Sequence, residues 1–359
     1  MKAFGDTYRD RRILLSGHTG FKGSWLALWL RELGANVSGV AQPPASTPNH
    51  WDLLRLDIAD HYLDLRDAQA TAQLVASLQP EVVFHLAAQP LVRRSYRNPL
   101  ETWSTNVMGT ANLLDACRQT PGVRAIVVVT TDKCYENRDL EWSYRETDRL
   151  GGHDPYSASK AAAELVAASY RRSYFGSDGA PLLATGRAGN VIGGGDWSED
   201  RLIPDLVRTL ASGTTLEIRA PAATRPWQHV LESLTGYLLL GQKLIEGDRG
   251  FAQAWTFGPA SDDNRTVAAV LTRMTEFWPK LAWEVTREPQ PHEAHLLYLD
   301  SSKARTRLGW EPVWHLDSAL RTTAEWYRSF FEAGRVESRA QLAQYVADAH
   351  AAGAAWSQE

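Results

Sequence analysis

The sequence is short of several things. It holds two cysteines, Cys117 and Cys134, in 359 residues. Two thiols make no disulfide framework and no metal-ligand cluster, and they suit a reducing compartment. No uninterrupted apolar run approaches the ~20 residues that a membrane span needs. The opening MKAFGDTYRDRR has no apolar stretch of the signal-peptide kind, so a cytoplasmic location is expected. Basic charge is not in excess: 38 Lys and Arg stand against 42 Asp and Glu, a net charge of −4. That balance gives no strong pull toward nucleic acid or an anionic membrane, so neither is expected as a partner. Internal repeats and low-complexity tracts are missing, apart from an Ala-rich tail over 340–355 that reads as a terminal helix or a frayed end. The one surplus is 14 Trp, which promises buried area but names no function.

What is present is a rhythm. RILLSG (12–17) reads as a strand, FKGSWLALWLREL (21–33) as a helix and ANVSGVA (35–41) as a second strand. A short third strand is expected in HYLDLRD (61–67), a helix over 67–79 and a buried strand in EVVFHLAA (81–88). A long helix over 99–119, the strand VRAIVVVTT (123–131), a helix over 154–174 and a strand over 180–191 follow. Strand and helix alternating at this spacing mean βαβ units and a parallel sheet covered on both faces. The fold class expected is α/β, a Rossmann-like doubly wound sheet with a smaller α+β substrate-binding region toward the C-terminus. Residues 1–190 form the expected cofactor domain, with 230–262 returning to it. Residues 191–229 and 263–335 form the substrate region, and 336–359 the tail.

GHTGFKG (17–23) lies between the first strand and the first helix. Gly17 permits a tight turn, Gly20 lets the backbone approach a pyrophosphate at the helix N-terminus, and Gly23 lets helix and sheet pack closely. The whole turn, with His18, Thr19, Phe21 and Lys22, is the expected cradle for a dinucleotide. An acid at the end of the second strand would bind the adenosine ribose, but the chain reads GVAQPP (39–44). No Arg or Lys stands in 39–50 to hold a 2′-phosphate, so NAD is favoured over NADP. Without that acid, the cofactor should be held loosely. Asp64 suits the adenine amino group, or equally caps a helix. Leu65, Leu86, Ala87 and Ala88 complete the expected cofactor wall.

YSASK (156–160) places Tyr156 and Lys160 on one helical face. An ammonium there lowers the phenol pKa and holds the nicotinamide ribose, so that the tyrosine removes a hydroxyl proton as hydride leaves the same carbon. The plain alternative is an ordinary amphipathic pair. With these residues, GHTGFKGSWL (17–26), TDKCYEN (131–137) and RAGNVIGGGDW (187–197) resemble the nucleotide-sugar 4,6-dehydratases of the extended short-chain dehydrogenase/reductase superfamily. The resemblance runs through LDSSKARTRLGWEP (299–312). It implies a CDP-linked glucose as substrate, and oxidation at C4, loss of water across C5–C6 and hydride return to C6. It also implies roles for three consecutive residues. Thr131 hydrogen-bonds O4, and Asp132, if protonated, gives its proton to the departing C6 oxygen, a step that requires a raised carboxyl pKa of the kind partial burial can supply. Lys133 stands where relatives acting on dTDP-glucose carry a glutamate as C5 base. Three readings of Lys133 stay open: a neutral base, a charged stabiliser of the enolate, or a solvated turn residue.

On the substrate side, Asn190 resembles the family residue at the sugar diphosphate. Arg225 suits a phosphate on physical grounds, since a guanidinium pairs with it bidentately. Arg219 is a second option, His292 and Glu293 could line the nucleotide end, and Gln89 joins the same set. No acidic cluster reads as a metal site, and hydride chemistry needs none. The resemblance further implies a homodimer or homotetramer, packed through helices 99–119 and 154–174. Two rivals remain: a nucleotide-sugar 4-epimerase of the same fold, which has no use for Asp132 and Lys133, and a non-catalytic NAD sensor, a class that tends to lose Tyr156 or Lys160.

Overall fold

The computed structural model describes residues 1–218, 220–286 and 296–358. Arg219, His292 and Glu293 therefore lie outside the described residues. Seven strands form one parallel sheet: β1 Arg12–Ser16, β2 Asn36–Ala41, β3 Ala59–Tyr62, β4 Val82–His85, β5 Ala125–Val129, β6 Leu182–Ala188 and β10 Ala254–Phe257. Their order is β10-β6-β5-β4-β1-β2-β3. Alternate residues serve opposite faces. Ile13, Leu15, Val82, Phe84, Val127 and Val129 belong to one core, while Leu14, Val83, Ile126 and Val128 belong to the other. A sheet buried on both sides needs near-continuous apolar strands, which is why AIVVV reads so strongly.

Order reverses beside β1, with β2 on one side and β4 on the other. Chains that leave neighbouring strands in opposite directions open a crevice at the strands' C-terminal ends. The remaining strands among the described residues stand over that crevice. β7 Asn190–Ile192, β9 Thr224–His229 and β11 Asn264–Thr266 form one small sheet, and β8 Leu216–Ile218 pairs with β12 Trp283–Val285.

Three expectations shift in detail. The strand expected over 180–191 is two: β6 ends at Ala188, and Asn190 then pairs with Trp227 in the small sheet. The third strand starts two residues earlier than HYLDLRD and ends at Tyr62, leaving LDLRD as a turn where Asp67 caps the helix Ala68–Leu78. The 99–119 helix is continuous but widens into a π-type turn over Ser104–Met108. The helix Val230–Ile245 packs on β5 and β6, and β10 joins the sheet edge beside β6.

The tryptophans and the tail explain each other. The helix Ser338–Ala351 docks on the helix Phe21–Glu32, burying Tyr345 and Trp356 against Phe4 and Trp29. Among the described residues, no helix is long and apolar enough to cross a membrane.

Candidate active site

The crevice is about 2010 Å³ and runs from Asp64 and Leu65 past Tyr156 and Lys160 to Arg225. Its first wall is backbone. Gly17 has φ +79°, and a Cβ there would sit 2.6 Å from the Ala87 nitrogen. A Cβ on Gly23 would sit 2.0 Å from the Gly17 oxygen. Any side chain at either position must push the turn, the helix and the end of β4 apart. Ser16 ties the same seam, since its Oγ accepts from Leu86 and Ala87 N–H at 3.2 and 3.3 Å. The helix Phe21–Glu32 starts with no side-chain cap. Its first N–H groups and the positive end of its dipole suit an anion. Thr19, Phe21, Leu65, Leu86, Ala87 and Ala88 all line the crevice.

His18 sits behind that wall. It is fully buried, and its Nε2 meets Asp60 Oδ1 at 2.6 Å. Burial pulls its pKa down, against the opposing pull of Asp60. The end of β2 carries no ribose-binding acid of its own. Gln42 stands in its place and donates to Asp64 Oδ2 at 2.9 Å. Asp64 also accepts from Arg66, whose hydrogen bonds hold the carboxyl below its usual range.

The second wall carries the candidate reactive groups. Thr131 and Asp132 follow β5 and are buried, with Lys133 half-buried beside them. Thr131 Oγ1 donates to Asp132 Oδ1 at 2.9 Å and accepts from the Lys133 N–H at 3.3 Å. Asp132 Oδ2 is buried and meets no hydrogen-bonding partner among the described residues. Opposite stands the helix Pro155–Ser173, begun by Pro155 and capped by Asp154, which accepts from the Ser157 N–H at 2.9 Å. That start sets Tyr156 in the first turn, facing Thr131, and Lys160 in the next.

The two members of that pair are tuned differently from the expectation. Burial pushes the Tyr156 phenol up to about 12, with Thr131 and Arg201 pulling it back and Asp132 adding to the rise. Arg201, six residues past the loop GGG, is thus a cation that bears on the phenol. Lys160 donates to the Val129 carbonyl at 2.9 Å. Burial lowers its pKa to about 8, against the pull of Glu164. Lys22 belongs to the glycine turn by sequence, but its amine points toward the reactive end. It reaches Tyr237 Oη at 3.4 Å. Burial lowers it to about 7, with Arg201 and Lys160 adding to the fall and Asp132 opposing it.

Guanidinium groups crowd the far end. Arg225 on β9 is buried, donates to the Thr224 carbonyl at 3.0 Å and lines the crevice with Asn190. Arg201 pairs with Asp196 at 2.9 Å and Arg93 with Asp200 at 3.0 Å. Arg208 pairs with Asp205 and donates to the Trp197 carbonyl at 3.0 Å. The sequence reading missed Arg93, Arg201 and Arg208. For Arg201 and Arg208 the signal available was their recurrence just after WSED and in its following helix; Arg93 carried none. Gln89 also lines the crevice, but its amide is spent on Thr102 Oγ1 at 2.8 Å and on the Leu91 N–H at 2.7 Å.

A family model described as GDP-mannose 4,6 dehydratase matches residues 14–323. The chain belongs to that dehydratase family. A CDP-glucose 4,6-dehydratase of Salmonella typhimurium is 44% identical over 348 residues, spanning 94% of this chain and 97% of that one. A dTDP-glucose 4,6-dehydratase of Streptomyces venezuelae, solved with NAD and DAU bound, superposes with a TM-score of 0.74 at 26% identity, covering 88% of this chain and 97% of the other. A UDP-glucose 4-epimerase of Thermotoga maritima shares the fold, with a TM-score of 0.77 at 23% identity over 89% of this chain and 99% of that one. The dehydratase family match ends at residue 323, ahead of the tail helix Ser338–Ala351.

Proposed function

We propose that the chain is an NAD-dependent CDP-glucose 4,6-dehydratase, a hydro-lyase that yields CDP-4-keto-6-deoxy-D-glucose. The observation that carries this reading is one crevice holding Thr131, Asp132 and Lys133 across from Tyr156 and Lys160. The glycine seam and uncapped helix suit the pyrophosphate of a dinucleotide, and Lys160 suits its nicotinamide ribose. NAD, when bound, accepts hydride from sugar C4 and gives it back at C6. The residues manage the protons. Tyr156 takes the O4 proton while Thr131 holds O4. Once C4 is a ketone, the C5 hydrogen is acidic, and Lys133 sits beside Asp132 to remove it or to stabilise the enolate that forms. Asp132 gives its proton to the leaving C6 hydroxyl. A carboxyl oxygen buried without a partner suits that step, because the substrate's oxygen becomes its partner. Asn190 and Arg225 would hold the diphosphate.

The same reading places the enzyme in the cytoplasm, in deoxysugar supply for surface polysaccharide such as O-antigen, as a homodimer or homotetramer. Leu100, Trp103, Met108 and Leu165 are exposed apolar residues on the two long helices and suit the subunit interface. The deciding experiment is a mass-resolved assay with NAD and, separately, CDP-, dTDP-, UDP- and GDP-glucose. Loss of one water from CDP-glucose alone, with no net NADH, is expected. Unchanged mass with glucose turned to galactose would make the chain an epimerase and strip Asp132 and Lys133 of their roles.

A further inference from the structure

The helix that carries Tyr156 and Lys160 also carries a buried carboxylate that the reaction does not use. Glu164 is 3% exposed. Its Oε1 accepts from Thr130 Oγ1 at 2.5 Å. Its Oε2 accepts from Thr185 Oγ1 at 2.8 Å and from an Arg187 N–H at 2.9 Å. Arg187, equally buried, donates to Tyr135 Oη at 3.1 Å, and Tyr135 in turn meets Thr256 Oγ1 at 2.9 Å. The chain therefore ties β5, β6 and β10 to one turn of the helix.

Three consecutive residues at the end of β5 are held by three consecutive helical turns. The Val129 carbonyl takes Lys160 Nζ at 2.9 Å. The Thr130 hydroxyl donates to Glu164. The Thr131 hydroxyl is a hydrogen-bond neighbour of the Tyr156 phenol. The outer two ties are made by groups assigned to the reaction, and the middle one is not. A buried ion pair is weak evidence for stability, since an apolar pair of similar size often does as well. What Glu164 and Arg187 add is geometry. Tyr135 lies in the TDKCYEN stretch, so the pair grips the reactive loop from its far end too.

We infer that Glu164 is a positioning residue, whose carboxylate holds the end of β5 in register with the helix bearing Tyr156 and Lys160. The inference rests on the reading of those two residues given above. It has a second consequence, through charge. Lys160 is faced by Glu164 on its own helix, by Cys134 in the reactive turn, by His85 on β4 and by Lys22 in the glycine turn. Burial keeps His85 neutral, at about 3, and raises the Cys134 thiol far above its usual value. Glu164 itself stays ionised: burial raises it, but Arg187 and the hydroxyls of Thr130 and Thr185 outweigh that. Its charge favours protonated Lys160, while Lys22 disfavours it. Loss of the Glu164 charge must therefore move the Lys160 titration to lower pH.

The test uses Glu164→Gln and Thr130→Val in the full chain. Glu164→Gln should lower kcat about 10- to 100-fold, with KM for sugar and cofactor within about threefold, as expected when proton transfer geometry is lost. Its alkaline limb of kcat should move down by about one pH unit. Thr130→Val should lower kcat about tenfold and leave the limb in place, since it removes a tie but no charge. If the single variant does not fold, Glu164→Met with Arg187→Met removes both buried charges together, and should fold with the same kcat loss. Acetylation of Lys160 by acetic anhydride, read by peptide mass across pH, reports the same titration without turnover. Its midpoint should fall in Glu164→Gln. Should the wild type dehydrate none of the four nucleotide sugars, the functional reading fails and the labelling midpoint alone decides the role of Glu164. A Glu164→Gln variant with unchanged kcat limb and unchanged labelling midpoint, or a loss confined to melting temperature, overturns the inference.

Discussion

The two ends of the crevice are built from different materials. The proposed cofactor end is backbone: two glycines packed against carbonyl and amide, and a helix start without a cap. The proposed substrate end is side-chain charge: Arg225 buried on β9, and Arg93, Arg201 and Arg208 each leaning on a carboxylate. Backbone recognition has no spare room, so it fails all at once. Charge recognition is shared among several groups, so it weakens by degrees. The two ends should respond to mutation on different scales.

The largest effect is expected at Gly23. Gly23→Val would drive a branched side chain into the Gly17 carbonyl, which already lies 2.0 Å from where a Cβ would be. Turnover should fall at least about 1000-fold, with NAD binding lost in calorimetry, because an overpacked seam costs about 1–3 kcal/mol or more before any ligand contact is lost. Circular dichroism should still show a folded chain. A Gly23→Val enzyme that binds NAD normally would mean the seam is not the cradle.

This difference in material also explains what could be read beforehand. Backbone sites are local in sequence: the glycines stand three apart, and Tyr156 and Lys160 four apart, so helical and turn geometry alone brings each set together. The charged end is assembled across the fold. Arg93 meets Asp200 over 107 residues, and no periodicity connects them. Glu164 was visible one turn past Lys160, but its partners stand on β6 and just past the end of β5, and Arg187 lay inside a quoted motif noted only for Asn190. β10 escaped because AWTF is only four residues, too short to show a period, although Gly258 and Pro259 follow it directly. The tail was ambiguous because its burial depends on Trp29 and Phe4, at the other end of the chain.

At the substrate end, Arg225→Lys should raise KM for the nucleotide sugar about tenfold and leave kcat within about threefold. A lysine keeps the charge but loses the planar, two-point grip on phosphate. Steady-state kinetics at varied sugar and saturating NAD would show it. A fall in kcat with KM unchanged would instead move Arg225 toward the reacting carbon.

Lys22 tests where one end stops and the other begins. Its folded pKa, about 7, lies below that of a lysine in the unfolded chain. The unfolded state then binds more protons between the two values, so stability rises with pH across that window and the penalty is greatest below pH 7. Lys22→Met removes the penalty. Its melting temperature should exceed the wild type's by a few degrees, roughly 2–4 °C, at pH 6, and the gap should close toward pH 10. Equal gaps at both pH values would show that the amine is solvated in the crevice and belongs to neither wall.

The smallest effect is expected at Asp64, a carboxylate that lines the backbone end. It stands on the rim, about one-third exposed, and its charge is already shared with Arg66 and Gln42. Exposed charge pairs contribute about 0.2–1 kcal/mol. Asp64→Asn keeps one acceptor for an adenine amino group and loses the charge, so NAD affinity should fall only about two- to fivefold. The fall should shrink further at high salt, where rim charges are screened. Calorimetry at two ionic strengths reads both numbers. A loss beyond about 30-fold would mean that Asp64 does the work of the acid missing from β2, and that the cofactor end leans on charge after all. Wild-type protein that purifies already saturated with NAD would say the same from the other direction, because a cradle of backbone alone, without that acid, should let the cofactor go.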